Sequence, residues 1–151
     1  MKTISNSITS HNRTNVSLKK IVDDIIKKSS SALTSKNIDI SNKVSPDAYV
    51  NANEDIIATI IEGILNSMMK NGADGDIEIS AREQFSNTMK LSVKDNNCFN
   101  TYAVACSLQG LVSLTERVGG YLNITNQRQK ITTIEFSFPI CKEENQPGND
   151  D

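Results

Sequence analysis

The sequence predicts a two-layer α/β sandwich: one mixed, mostly antiparallel sheet with its helices packed on one face. Three observations predict it. Helical and strand periodicities alternate along the chain in the order helix, strand, helix, strand, strand, helix, strand, strand. The later strands fall into pairs joined by short polar segments, which is how antiparallel hairpins close. Each long helix carries one apolar stripe, so the helices must share one side of the sheet.

The elements follow in order. Residues 1–16 are rich in Ser, Thr and Asn without periodicity, and are expected to form a flexible arm or a short edge strand. From Ser17, a suitable N-cap, Leu18, Ile21, Val22, Ile25, Ile26, Ala32 and Leu33 recur mostly at three- and four-residue intervals, marking a first helix. Ile38, Ile40 and Val44 then alternate with polar residues as a strand that Pro46 ends. Asn53 caps a second helix with Glu54 and Asp55 in its first turn, where the helix dipole favours acids. Its broad stripe of Ile and Leu, ending at Met68 and Met69, places it at the centre of the core. The run NGADGD, Asn71–Asp76, stops it. Ile77–Arg82 and Met89–Asp95 are a hairpin, and a third helix spans about Thr101–Arg117 up to Gly119-Gly120. Tyr121–Gln127 and Ile131–Pro139 form a last hairpin rich in β-branched and aromatic residues. The acidic, apolar-poor residues 141–151 are expected to be disordered, leaving residues 17–140 as the folded domain.

Composition narrows the function. The chain has 151 residues, enough for one domain with a real core. A net charge of -2 gives no basic field, and with no Trp and only 5% aromatics there is no stacking platform, so nucleic acid is excluded as a partner class. Cys98, Cys106 and Cys141 form no C-x-x-C pair; three cysteines at long spacings suit free thiols in a reducing compartment. The polar N-terminus lacks a hydrophobic signal segment, and no apolar run approaches the ~20 residues that span a bilayer. A cytoplasmic protein without membrane contact is expected.

At EDIIATIIEGILNSMMKNG the second helix is similar to the asparagine box of sensor histidine kinase ATP-binding domains, the left-handed sandwich (Bergerat fold) shared with gyrase-type and heat-shock-type ATPases. LTERVGGYLNIT followed by ITTIEFSFPI resembles the closing helix, Gly-Gly turn and last two strands of the same family, so the resemblance covers about Ser17 to Pro139. It implies that Asn66 coordinates the magnesium ion bridging the ATP phosphates. Glu62, one turn earlier on the same face, stands where the gyrase-like branch carries a general base. The plain reading of both is a solvated helix face opposite the core.

The departures concern chemistry. The family's D-x-G-x-G box is matched by Asp95-Asn96-Asn97-Cys98-Phe99, which keeps the adenine-binding Asp but puts Asn97 and Phe99 at the glycine positions. Asp95 either contacts adenine or caps the turn into the third helix. The G-x-G-L box becomes Ala105-Cys106-Ser107-Leu108, small but without the glycines that let backbone N–H groups wrap phosphates. Only residues 96–104 lie between Asp95 and Ala105, where active kinases carry a long mobile lid, and no Lys or Arg occurs between Lys94 and Arg117. The resemblance with these departures implies no resident cofactor, with ATP and magnesium at most a residual ligand of Asn66, Asp95, Asn97, Ala105 and Ser107. His11, in TSHNRTN, faintly echoes the phosphoacceptor motif, but residues 1–16 cannot hold the dimerisation helices on which that motif lies.

Two functions are consistent with these residues. One is a two-component signalling module that has weakened or lost ATP binding and acts as a docking or regulatory unit. Its partner class is a response regulator, or the helical hairpin of a kinase or phosphotransferase, with a homodimer also compatible. The other is a minimal active domain, an ATP-dependent histidine or serine kinase acting on a partner protein. Phosphoryl transfer rests on positioning and charge neutralisation, the features the departures remove.

Overall fold

The computed structural model describes residues 14–85 and 87–140. Strand β1 (Thr14–Ser17) runs straight into α1 (Leu18–Lys28) and α2 (Ser30–Ser35), followed by β2 (Asp39–Asn42), β3 (Tyr49–Ala52) and α3 (Glu54–Lys70). The hairpin β4 (Asp76–Gln84) and β5 (Thr88–Asp95) comes next. Helix α4 (Thr101–Ser107), a 3-10 turn (Leu108–Leu111) and α5 (Val112–Arg117) then lead to β6 (Tyr121–Gln127) and β7 (Ile131–Pro139).

Five strands form one sheet in the order β2-β4-β5-β7-β6, with β2 parallel to β4 and every other pairing antiparallel. Alternation sorts its faces. Ile77, Ile79, Leu91, Val93, Ile134 and Phe136 are buried beneath the helices, while Glu78, Ser80, Arg82, Lys90 and Ser92 occupy the opposite, polar face. Phe136 and Phe138 stack with ring centroids 4.7 Å apart. Complete burial of each such ring stabilises the fold by about 1.5–3 kcal/mol. Ile57, Ile60, Ile61, Ile64, Leu65 and Met68 of α3 lie fully buried against this face, so α3 is the central helix. The expected sandwich is therefore the observed one.

The differences from the sequence reading have physical causes. Of the two expectations for residues 1–16, the short strand is the one seen at residues 14–16: β1 pairs with β3, Val16 opposite Val50, and both side chains are buried. The first helix breaks at Ser29, where three consecutive serines lower helix propensity and the Ser29 N–H caps the carbonyls of Ile25 and Ile26. The third helix passes through a 3-10 step around Gly110, a residue that costs a helix interior about 1 kcal/mol relative to Ala. The chain leaves α5 through Gly119 at φ +74, with the Gly120 N–H donating to the Thr115 carbonyl at 2.8 Å. Residues 1–13, with His11, and residues 141–151, with Cys141, lie outside the described residues. No helix among the described residues is long and apolar enough to cross a membrane.

Candidate functional site

Helix α3 starts where the Asn53 side chain accepts the Ile56 N–H at 3.2 Å. Its outward stripe carries Glu62 and Asn66 one turn apart, Asn66 exposed and Glu62 half-buried. Glu62 accepts from Lys28 Nζ at 3.2 Å, tying α3 to the end of α1. That pair is open to solvent and contributes little to stability. It does place a cationic group beside the Glu62 carboxylate.

Asp95 ends β5 and is only 1% exposed. Its Oδ1 accepts the N–H of Asn97 at 2.9 Å and the N–H of Asp76 at 3.2 Å. Asp95 thus caps the turn leaving β5, whereas the N-cap of α4 is Asn100, which accepts the Ala103 N–H at 3.3 Å. The second oxygen, Oδ2, faces the loop after α3: a Cβ at Gly75 would stand 3.1 Å from it and one at Gly72 3.8 Å.

The segment from Asn96 to Asn100 is tied down along its length. The Asn96 N–H donates to the Asp76 carbonyl at 2.9 Å, Asn97 Nδ2 to the Asp74 carbonyl at 2.9 Å, and the Cys98 N–H to the Lys130 carbonyl at 2.8 Å. The Cys98 carbonyl accepts the Thr132 hydroxyl at 3.0 Å. Thr132 shares a 2.8 Å hydrogen bond with Thr101, which also accepts from Asn126 Nδ2 at 2.6 Å. Neither Asn97 nor Phe99 has a positive φ, so the turn is built without the left-handed backbone that glycines permit. Phe99 points outward, 69% exposed.

Beyond this turn the chain lies directly on α3. Ser107 Oγ donates to the Ala103 carbonyl at 3.1 Å and accepts from Asn71 Nδ2 at 3.1 Å, and Asn71 also donates to the Ser67 carbonyl. Ala105 lines an apolar groove toward β6 with Leu108, Val112 and Leu122. One turn on, Leu111 covers Gly63: a Cβ there would come within 2.6 Å of a Leu111 methyl. Gly63 lies three residues before Asn66 in the same helix.

Glu62 and Asn66 therefore share the rim of α3, Asp95 and Asn97 form one capped turn, and Ser107 joins α4 to the end of α3. Four contributors escaped the sequence reading: Gly63, Gly72, Asn71 and Leu111. One of them had left a signal, since a lone glycine inside an otherwise strong helical pattern usually marks a close approach.

No family model matches the chain, and neither does any curated protein sequence. Solved structures do. The chain is similar to the Acinetobacter baumannii histidine kinase AdeS at a TM-score of 0.72 and 13% identity, over 87% of this chain and 68% of that one. It is similar to the catalytic domain of histidine kinase ThkA at a TM-score of 0.68 and 14% identity, over 85% of this chain and 95% of that one. A structure of ThkA in complex with the response regulator protein TrrA matches at a TM-score of 0.68 and 18% identity, covering 93% of this chain but 47% of that one. At such identities the likeness concerns the fold, and the fold is that of histidine kinase catalytic domains.

Proposed function

We propose that this domain is a two-component signalling module in which the nucleotide site has been closed, so that it serves as a docking or regulatory unit. The observation that carries the proposal is the seating of Leu111 on Gly63 beside the Asn71–Ser107 hydrogen bond, which lays the third helical segment along the Gly63–Asn71 side of α3, next to the stripe that bears Asn66. The resemblance puts the asparagine box on one of those walls and the phosphate-wrapping box on the other, so nucleotide would lie between them. The residues present do not fit magnesium–ATP well: Glu62 is paired with Lys28, one oxygen of Asp95 serves two backbone N–H groups, and no cation lies between Lys94 and Arg117. The partner classes that suit such a unit are a response regulator or the helical hairpin of a kinase or phosphotransferase.

One observation favours the second reading, a minimal active kinase. Asp95 Oδ2 faces two glycines, so backbone rather than side chain borders it, and Asn66 stands exposed on α3. Titration with a nonhydrolysable ATP analogue and magnesium, read by calorimetry and thermal unfolding, separates the two. A ligand at 100 times its dissociation constant stabilises the folded state by about 2.7 kcal/mol. The closed-site reading expects no heat and no shift at millimolar nucleotide. A shift that Asn66→Ala abolishes overturns it.

A further inference from the structure

Among the described residues, strand β6 is an unpaired edge of the five-stranded sheet. Its seven residues, YLNITNQ, contain no charge and no proline, and they pair with β7 without a bulge. Among the described residues, the backbone of Tyr121–Asn126 exchanges hydrogen bonds with no element other than β7. Sheets ordinarily blunt such edges with charge, proline, a bulge or a covering element. The opposite edge is blunted in this way: β2 has four residues, begins with Asp39, and Lys19 Nζ reaches the carbonyls of Asn42 and Val44 at 3.4 and 3.3 Å. On the helix side of β6 the groove lined by Ala105, Leu108, Val112, Leu122 and Ile124 encloses about 150 Å³.

We infer that β6 is the contact surface for a second copy of this chain, the two β6 strands pairing antiparallel about a two-fold axis at Ile124 and merging the two sheets into one. The strand is its own complement in that register. Asn123 faces Thr125 of the other copy and Tyr121 faces Gln127, so no like charges meet across the new ladder. Because period-two alternation is kept across the junction, Leu122 and Ile124 of each copy fall on the helix side, where each groove continues into its mate. Such an isologous contact closes on itself and forms a dimer rather than a fibre. A single strand pair with a small groove falls below the standard interface size, so the association is concentration-dependent.

Sedimentation velocity on the full chain from micromolar to millimolar concentration tests this. A reversible monomer–dimer equilibrium is expected. Asn123→Lys with Thr125→Lys sets two like charges against each other at both junctions and raises the dimer dissociation constant about tenfold or more. Asn123→Lys with Thr125→Glu places each Lys opposite a Glu of the other copy and returns the constant to or below the wild-type value. Both positions are exposed and Asn123 gives up only a long 3.5 Å hydrogen bond to Glu135, so at concentrations where the chain is monomeric all three proteins keep the same circular-dichroism spectrum. A wild-type chain monomeric throughout, a dimer indifferent to the double-Lys change, or failure of the Lys/Glu pair to restore it each overturns the inference.

Discussion

Asp95 shows how one carboxylate can hold a turn together. Its Oδ1 satisfies the N–H of Asn97, within the turn, and the N–H of Asp76, at the start of the neighbouring strand. Asp95→Ala leaves both part-buried donors without this acceptor, and the expected loss is about 1–2 kcal/mol in urea unfolding. Asp95→Asn keeps an acceptor at Oδ1 and is expected to lose less than half as much. A role for Asp95 in ligand contact alone predicts unchanged stability for both variants. That Asp95 caps a turn was legible from its place at the end of a strand, just before a polar segment. Its partners were not, because the Asp76 N–H and the Gly72–Gly75 loop reach it only through strand pairing and the end of α3.

At the scale of elements, the contact between α3 and the 3-10 turn decides the shape of the candidate site. Gly63→Ala gains up to about 1 kcal/mol of helix propensity. It also sets a methyl 2.6 Å from the end of the flexible, half-buried Leu111 side chain, which must turn out of its seat and so offsets that gain. The net change is small, but Gly63→Ala and Leu111→Ala do not add, with a coupling energy of about 0.5–3 kcal/mol expected in a double-mutant cycle by chemical denaturation. Additive effects of the two changes rule out the seated contact. Local pattern sufficed for the elements that dominate the fold: the last hairpin runs over Tyr121–Gln127 and Ile131–Pro139 as its β-branched residues indicate, and α3 begins at the cap Asn53. It failed for β3, because Tyr49–Ala52 is too short to show a period and its partner β1 lies on the far side of α1 and β2. It failed again within the third helix, where the 3-10 step around Gly110 carries Leu111 onto Gly63, a contact between distant segments that no window of sequence contains.

Across the whole molecule, order is graded from the middle of the sheet outward. β5 and β7 lie between other strands and bury Leu91, Val93, Ile134 and Phe136 completely, whereas β1 and β3 form a separate two-stranded ribbon. Native-state hydrogen exchange should therefore find the slowest amides in β5 and β7 and much faster exchange in Tyr49–Ala52. Equal protection in both regions contradicts this gradient. The stitched segment Asn96–Asn100 bears on how the domain meets a partner. A loop that orders only on contact loses conformational entropy at that moment, about 1–2 kcal/mol for each backbone residue fixed. In this chain, hydrogen bonds to Asp74, Asp76, Lys130 and Thr132 have already removed that freedom in the free protein. A partner touching this rim therefore meets a rigid template, and its affinity reflects complementarity of shape rather than the work of arranging a flexible one.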